Sequence, residues 1–419
     1  MITRHAAFPC RAELIPHQPV LTDEPTPKKS SSRSIFRAYL LSLVIGATPL
    51  AAYAATPGGT VTGDTIVLGQ TAAQSGPNAP AGESKWGLEA YLNSVNAKGG
   101  VHGKKLKLIS YDDSYQPTQT SALIKKLIYQ DHVFAIVGSV GSPTTSAVYK
   151  TLDSLGVPLV GPATGSPIFY HPTRKYIFPA WPLYTTDGKT MGAFAKKKFP
   201  SQPAAVIYQD DAFGKPIRDG VLSQFPDVKM TIPYVPSQVD FSASVIKLRS
   251  SGVKTVILAT LGTTAVQILN QMASLNYHPT RILTSSACGF AGIFKAIPSI
   301  KGTYCSAFLP APGSTDPHWV AFQEGMSKYE AGHAPDIYAA WGWLAGQVTV
   351  AALERVKGPL TRDAFVAALE QLNKLDTIGG SLVYTPQVHT GLCCQMLWQA
   401  KSDHWVVAPD STFNGSGAQ

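Results

Sequence analysis

The stretch "VFAIVGSVGSPTTSAVYK" (133–150) begins apolar and changes abruptly to small and hydroxyl-bearing residues. A short apolar run of this kind is typical of a strand buried on both faces of a parallel sheet. From Gly138 to Thr145 the chain offers backbone amides and hydroxyls, which can hold an anionic or acceptor-rich group where a strand leads into a helix. Ordinary helix capping by Ser and Thr is the alternative. The stretch therefore predicts a buried strand followed by a candidate binding loop.

The segments around this stretch alternate between short β-branched runs and longer helical patterns. Strands are predicted at 65–72, 105–113 and 133–138, and helices at 87–100 and 117–130. Strand–helix–strand repetition with apolar strands predicts a parallel sheet covered on both faces.

The same pattern returns in the second half of the chain. Strands are predicted at 204–211, 228–235 and 254–260, and helices at 214–225 and 242–252. A hydroxyl-rich loop predicted at 261–269 takes the place that 140–148 has in the first half. Further helices are predicted at 318–332, 337–356 and 362–372, and further strands at 379–386 and 395–408. We therefore expect two α/β units with their loops at the carboxyl ends of the strands, where open α/β sheets bind ligands.

Residues 1–54 have the pattern of a leader that ends in a secretory signal peptide. Basic residues precede the apolar run "AYLLSLVIGATPLAAYA" (38–54), which ends in an A-x-A cleavage pattern. A membrane anchor is the alternative, but Thr48 and Pro49 leave the run shorter than the roughly 20 apolar residues that a span needs. This pattern predicts export and cleavage before Ala55.

Charge and cysteine content limit the classes of partner. The leader holds six Lys/Arg and three Asp/Glu, so +6 of the formal +9 remains on the other 365 residues, without long basic runs, which disfavours nucleic acid binding. Four cysteines remain after the leader: Cys288, Cys305, Cys393 and Cys394. They allow three full pairings that the sequence does not distinguish, and no ligand spacing typical of zinc accompanies them.

Motifs of common enzyme classes do not occur in the sequence. It has no G-x-x-x-x-G-K-[ST], G-x-G-x-x-G, G-x-S-x-G or H-E-x-x-H pattern. The acidic pairs at 112–113 and 210–211 each follow a predicted strand, where Asp commonly binds backbone amides, so a structural role is favoured over acid–base catalysis. We expect no enzymatic activity, cofactor or metal.

Several segments resemble the leucine/isoleucine/valine-binding family of periplasmic solute receptors for ABC importers. They are "IVLGQTAAQSGP" (66–77), "NAKGGVHGKKLKLISYDDSYQPTQT" (96–120), "VGSVGSPTTSAV" (137–148), "GVPLVGPATGSP" (156–167) and "VIYQDDAFGK" (206–215). The resemblance implies an α/β fold of two Rossmann-like lobes with parallel-type sheets, joined by three hinge crossings, as in type I periplasmic binding proteins. The crossings would fall near Trp181, Leu309 and Ile378. The first lobe would take 62–180 and 309–377, and the second 181–308 and 378–411.

The resemblance also implies a ligand site between the lobes. In that family a Ser after the third strand, together with amides and hydroxyls of the next loop, holds the ligand's carboxylate and amino groups. In the second loop Gly165 stands where a Thr is usual, so Thr164 or Ser166 would have to supply the hydroxyl. The implied ligand-binding positions are Ser142, Ala163, Thr164, Gly165, Tyr184, Phe213, Leu261 and Ser286.

Two departures from the family pattern bear on the ligand. Amino-acid binders place an acidic residue near position 286 and an aromatic residue near position 261, where this sequence has Ser286 and Leu261. Burying an ammonium without a counter-charge is costly, so the ligand is expected to lack one unless Asp210 or Asp211 supplies a carboxylate. The side chains of Tyr184 and Phe213 then suit an aromatic or aliphatic carboxylate, or an amide. Trp86 and Trp181 are further lining candidates, for which core packing is at least as good an interpretation.

The sequence as a whole predicts a periplasmic receptor that delivers a small organic solute to an ABC permease. Closure of the two lobes would be its working step. A ligand-sensing subunit of a signalling system and an exported enzyme are the alternatives. The resemblance implies a monomer.

Overall fold

The computed structural model describes residues 57–289, 292–297, 300–392 and 395–409. The predicted leader, Cys393 and Cys394 lie outside these residues. Across the described ranges, no helix combines the length and the apolar character that crossing a membrane requires.

The first sheet is wholly parallel and is built from the first half of the chain. Its strands are β1 (Thr65–Ala72), β2 (Lys105–Asp112), β3 (Ala135–Val137), β4 (Leu159–Val160) and β5 (Ile177–Phe178). Their order is β2-β1-β3-β4-β5, and every pair is parallel. The chain runs outward from β1 to β2 and then returns to place β3 on the other side of β1. Ligands of open α/β sheets bind at such a switch in strand order, beyond the carboxyl ends of the strands.

The second sheet combines a parallel part with two antiparallel strands. Its parallel strands are β6 (Ala204–Gln209), β7 (Met230–Tyr234), β8 (Thr255–Ala259), β9 (Thr280–Leu283) and β10 (Tyr304–Ala307). The chain next forms a separate antiparallel sheet of β11 (Leu375–Thr377), β12 (Gly380–Tyr384) and β13 (His389–Thr390). It then returns to the second sheet with β14 (Met396–Ala400) and β15 (Trp405–Val407). The last two pair antiparallel with β10 and with each other, giving the order β15-β14-β10-β9-β8-β6-β7. The prediction of parallel-type sheets is confirmed; in the second sheet the parallel part consists of the five neighbouring strands β10, β9, β8, β6 and β7.

Helices connect the parallel strands and cover the sheets. Their bounds are α1 (Ser84–Ala97), α2 (Pro117–Tyr129), α3 (Ser142–Ser146), α4 (Tyr149–Ser154), α5 (Tyr184–Lys198), α6 (Gly214–Gln224), α7 (Ser242–Ser250), α8 (Gly262–Ser274), α9 (Ser285–Cys288), α10 (Ile293–Ala296), α11 (Pro317–Tyr329), α12 (Ile337–Leu353) and α13 (Arg362–Leu369). Two short 3₁₀ helices span Ala79–Glu83 and Pro167–Phe169.

Helix α12 follows β10 of the second sheet in sequence but packs against α1, on the side of the first sheet. Its side chains are almost all buried, and two glycines let it approach α1 closely. A Cβ on Gly87 would lie 1.7 Å from the Ala339 carbonyl oxygen, and one on Gly342 would lie 1.8 Å from that of Ser84. Any larger residue at Gly87 or Gly342 would push the helices apart. The chain therefore returns to the first α/β unit after completing β10.

The two hydroxyl-rich segments predicted as loops are largely helical. Residues 142–146 form α3, and α8 begins at Gly262. Hydroxyls in the first segment bond back to carbonyls of the preceding turn: Thr144 Oγ1 donates to Val140 O at 2.8 Å, and Ser146 Oγ donates to Ser142 O at 2.5 Å. These side chains satisfy their hydrogen bonds inside a helical turn, which a propensity argument does not anticipate.

The cysteine pairing left open by the sequence is settled for two of the four residues. Cys288 at the end of α9 and Cys305 in β10 form a disulfide, with Cα atoms 6.4 Å apart. The bond ties the segment that carries Ser286 to the second sheet.

Candidate ligand-binding cleft

Two hydroxyl groups meet at the carboxyl edge of the first sheet. Ser142 begins α3 after β3, and Thr164 lies in the loop after β4. Their oxygens are 2.7 Å apart, and both side chains are buried. The two loops lie side by side because Val140 forms a parallel bridge with Ala163, whose N–H donates to Ser139 O at 2.8 Å. The structure thus brings together three of the predicted positions, Ser142, Ala163 and Thr164.

Tyr184 joins this pair from the first turn of α5. Its hydroxyl oxygen accepts from Ser142 Oγ at 3.4 Å, and its backbone N–H donates to Gly165 O at 2.8 Å. Burial raises the pKa of Tyr184 to about 12, so the phenol stays protonated and able to donate at neutral pH. We call Ser142, Thr164 and Tyr184 the hydroxyl cluster.

Gly165 is required where the family pattern has a threonine. A Cβ at this position would lie 2.1 Å from the Pro182 carbonyl oxygen and 2.9 Å from the Tyr184 ring. The hydroxyl therefore comes from Thr164, which faces Ser142, while Ser166 contributes its backbone N–H to Thr164 Oγ1 at 3.3 Å. The displaced hydroxyl follows from the close approach of the segment that leads into α5.

Phe213, in the loop after β6 of the second sheet, contacts the hydroxyl cluster through the ring of Tyr184. It precedes α6, and its ring lies edge-on to that of Tyr184 with centroids 5.1 Å apart. The side chain is buried, and the Phe213 N–H donates to Asp211 Oδ1 at 2.8 Å, which fixes the turn after β6. Tyr184 and Phe213 therefore form one aromatic wall.

The last two predicted positions lie at the ends of neighbouring strands of the second sheet. Leu261 follows β8 and is half-buried, and Ser286 lies in α9 after β9 and is buried. The Ser286 carbonyl accepts a hydrogen bond of 2.6 Å from the hydroxyl of Tyr338 in α12. Tyr338 thus links Ser286 to the side of the first sheet.

Sequence reasoning missed a second polar group opposite the hydroxyl cluster. Gln209 ends β6, and its Nε2 donates to Asp211 Oδ2 at 2.6 Å and to the hydroxyl of Tyr115 at 3.4 Å. The Tyr234 hydroxyl donates to Gln209 Oε1 at 3.2 Å. A tyrosine in the turn after β2 was a usable signal, since that turn lies at the carboxyl edge of the first sheet. We call Tyr115, Gln209, Asp211 and Tyr234 the glutamine cluster.

Three of the four acidic residues in the two pairs bind backbone amides, as predicted, whereas Asp210 binds a lysine side chain instead. Asp112 Oδ1 accepts from the N–H groups of Gln74 and Ser114 at 2.8 Å each. Asp210 is exposed and pairs with Lys215 at 3.2 Å. Asp211 is more enclosed, and burial raises its pKa. Of the two alternative acids that the sequence offered, only Asp211 belongs to the glutamine cluster.

Both tryptophans named as lining candidates pack against other rings. Trp86 stacks on His333 with centroids 3.9 Å apart. Trp181 is buried between Phe308 and Trp341, at 4.6 and 4.5 Å. Their contacts agree with the packing alternative, and the aromatic wall is left to Tyr184 and Phe213.

A comparison with protein families covers nearly all of the described chain. Residues 65–404 match the family described as "Periplasmic binding protein". The chain belongs to this family. It is thus a solute-binding receptor of the periplasmic type, and the expected leucine/isoleucine/valine-binding likeness is confirmed.

Individual relatives place the chain within that family. An amino acid binding protein of Pseudomonas aeruginosa is 26% identical over 58% of this chain and 64% of its own length, so the match spans just under two thirds of that relative. A leucine-specific-binding protein of Salmonella typhimurium is 23% identical over 81% of this chain and 88% of its own. A solute-binding protein of R. palustris, solved in complex with benzoate, superposes with a TM-score of 0.73 at 22% identity, covering 83% of this chain and 96% of that one. These relatives are binding proteins.

The chemistry of this periplasmic binding protein's cleft is that of recognition. Hydroxyls and amides approach from the first sheet, and aromatic rings and a buried amide approach from the second. Among the residues that the structure describes, no group of three His, Cys, Asp or Glu side chains is arranged to hold a metal ion. The groups gathered here can form hydrogen bonds with a small solute and pack against its apolar part.

Proposed function

We propose that this protein carries a small organic solute with a carboxylate or amide end to an ABC permease. The observation that carries the proposal is the hydroxyl cluster, in which Ser142 and Thr164 of the first sheet meet Tyr184 of α5. Hydroxyl and amide donors in a buried site bind a carboxylate or carbonyl oxygen more strongly than water-exposed donors do. The acceptor end of the solute would lie against the hydroxyls of Ser142 and Thr164 and the amide of Gly165.

We further propose two lobes with the bounds 62–180 with 309–377, and 181–308 with 378–411. The separate sheets and the packing of α12 against α1 support this division. The first two crossings would lie side by side, since Trp181 and Phe308 are in ring contact. The third would be held by Gln347, whose Oε1 accepts from the Ile378 N–H at 3.0 Å.

The other end of the solute would lie against Tyr184, Phe213 and Leu261. This surface is apolar, and Ser286 brings no charge, which supports an aromatic or aliphatic body rather than one with an ammonium group. The benzoate complex of the R. palustris protein shows that a receptor of the same fold holds an aromatic carboxylate. Aromatic and aliphatic carboxylates and their amides are therefore the proposed class, carried by a monomer.

A thermal-shift panel tests the proposal. The purified protein is heated with branched amino acids, aromatic carboxylates, aliphatic carboxylates and the matching amides. A ligand that binds only the folded state at a hundredfold excess over its Kd adds about 2.7 kcal/mol to the free energy of unfolding. We expect a shift with carboxylates or amides that lack an amino group. A melting temperature that rises only with branched amino acids would contradict the proposed ligand class. A melting temperature that rises with no compound of the panel would contradict the proposed solute.

A further inference from the structure

Tyr115 lies in the turn after β2 of the first sheet, and its side chain contacts Gln209 of the second sheet. We infer that Tyr115 acts as a latch between the two sheets, whose hydrogen bond to Gln209 favours the closed cleft and thereby strengthens solute binding. The closure step stands on the contacts alone, and the effect on affinity rests on the proposed function. Tyr115 would set the receptor's affinity while lying outside the hydroxyl cluster.

The backbone of the turn is held in a conformation that aims Tyr115 inward. Ser114 and Tyr115 have φ of 48° and 61°, the left-handed region that residues other than glycine rarely adopt. Two successive residues of this kind are unfavourable for the backbone, because the side chain then crowds the following carbonyl. Such conformations persist where surrounding contacts enforce them, and they concentrate at functional sites.

Two aspartates enforce the conformation. Asp112 Oδ1 accepts from the Ser114 N–H at 2.8 Å, and Asp113 Oδ1 accepts from the Tyr115 N–H at 3.0 Å. The other oxygen of Asp113 accepts from the Thr120 hydroxyl at 2.9 Å, which anchors the turn to α2. Asp113 is fully buried, so the carboxylate that binds the turn is held in place by the surrounding residues.

The phenol oxygen of Tyr115 lies against an oriented hydrogen-bond donor on the second sheet. Gln209 is buried, and its amide is oriented by Tyr234, which donates to Oε1, and by Asp211, which accepts from Nε2. The Nε2 group then donates to the Tyr115 hydroxyl at 3.4 Å. Gln209 and Tyr115 lie in strands or turns of different sheets, so this bond exists only when the sheets are close.

The ring of Tyr115 also packs on the loop that holds Ser142. Gly141 has φ of 108°, and a Cβ there would lie 2.7 Å from Cε2 of Tyr115 and 2.5 Å from Thr144 Oγ1. The absent side chain makes room for the ring. Tyr115 therefore touches the loop before the hydroxyl cluster on one side and the glutamine cluster on the other, which couples closure to the ligand loop.

Small-angle X-ray scattering of the unliganded protein tests the latch without any solute. Wild type is compared with Tyr115→Phe, Tyr115→Ala and the control Tyr129→Ala, which alters an exposed tyrosine of α2. We expect a larger radius of gyration for Tyr115→Phe and a further increase for Tyr115→Ala, with the control unchanged. Tyr115→Phe keeps the ring and is the variant that preserves folding. If Tyr115→Phe and Tyr115→Ala both have the radius of gyration of wild type, the proposed latch is wrong.

The affinity step is measured with whichever compound of the solute panel shifts the wild-type melting temperature. We expect Tyr115→Ala to raise its Kd about tenfold, equivalent to about 1.4 kcal/mol. An unchanged Kd in a variant that scatters as a more open particle would overturn the link to affinity. If no panel compound binds wild type, the proposed solute fails while the scattering comparison still decides the latch.

Discussion

The hydroxyl oxygens of Ser142 and Thr164 lie 2.7 Å apart, although the two residues follow different strands. Neighbouring parallel strands β3 and β4 end at the same edge, and the bridge between Val140 and Ala163 continues their pairing into the loops. Each hydroxyl is therefore held in place by the sheet rather than by a flexible loop. A site built in this way needs little reorganisation when a solute arrives, which lowers the entropic cost of binding.

Replacing Ser142 by Ala should weaken solute binding while leaving the fold intact. The variant removes one hydroxyl of the cluster, and the Thr164 hydroxyl still accepts from the Ser166 N–H. Loss of a buried hydrogen bond to a charged acceptor costs about 1.5–3 kcal/mol, so we expect Kd to rise at least tenfold. Isothermal titration calorimetry with a compound from the panel measures this. Ser154→Ala, at an exposed position of α4, is the control, and an equal Kd for both variants would contradict the assignment of Ser142.

Removing the disulfide between Cys288 and Cys305 should destabilise the protein. The bond closes a loop with a sequence separation of 17, for which chain-entropy estimates give roughly 3 kcal/mol. We expect the double variant Cys288→Ala/Cys305→Ala to melt at a lower temperature than wild type in scanning calorimetry. Reductant should lower the wild-type melting temperature and leave that of the double variant unchanged. A reductant effect of equal size on both proteins would assign the sensitivity to other cysteines.

Local sequence patterns predicted the elements of this fold better than the contacts between them. Residues 105–113 and 254–260 have apolar runs bounded by turn residues, and both are strands, β2 and β8. The packing of α12 on α1 depends on Gly87 and Gly342, which are far apart in sequence, so no local pattern predicts it. Very short strands such as β4 and β5 carry too few residues for a periodic signal.

The site shows the same division between local and distant information. Ser142 and Thr164 were predicted from the resemblance of their segments to the family; they stay predictions as ligand-binding residues, and the structure places their hydroxyls in contact. Tyr115 and Gln209 were missed because they are separated by 94 positions and are paired only by the fold. The segments 140–148 and 261–269 were predicted as hydroxyl-rich loops, yet each contains the start of a helix, α3 and α8. In the first, the Thr144 hydroxyl bonds to Val140 O within the first helical turn.

Asp187 should make stability depend on pH. This α5 residue is 2% exposed, and burial raises the pKa of its carboxyl to about 7 even though the nearby Ser306 hydroxyl favours the charged form. A folded-state pKa above the unfolded value of about 3.9 means that the folded protein holds a proton that the unfolded chain has lost between these pH values. Stability therefore falls as pH rises from about 4 to 7 and stays lower above that range.

Replacing Asp187 by Asn removes this dependence, because the amide does not ionise. We expect Asp187→Asn to melt above wild type at pH 8 and close to it near pH 4, with the difference at pH 8 on the order of a few kcal/mol at most. Glu324→Gln, which removes an exposed carboxyl of α11, is the control. If the difference in melting temperature between wild type and Asp187→Asn is the same at every pH in this range, the prediction is wrong.

Arg362 should be irreplaceable for the stability of the first sheet. Its guanidinium is buried and donates to three backbone carbonyls at 2.8 Å each, those of Pro57, Val133 and Phe134. Burial lowers the pKa of Arg362 to about 10, so it stays charged at neutral pH. One planar group thus ties α13 to the segment that enters β3 and to residues near the start of the described chain.

A lysine at this position has one ammonium and cannot span the three carbonyls, and a methionine supplies no donor. We expect urea unfolding to show a loss of about 2 kcal/mol for Arg362→Lys and about 3 kcal/mol for Arg362→Met, since buried acceptors are left without their charged donor. Arg355→Met is the matched control, because that exposed side chain, two residues past the end of α12, donates to a single carbonyl, Ala351 O. Its loss should stay within about 0.5 kcal/mol. If Arg362→Met and Arg355→Met unfold at the same urea concentration, the carbonyl contacts of Arg362 contribute nothing net, and the cost of burying its charge cancels them.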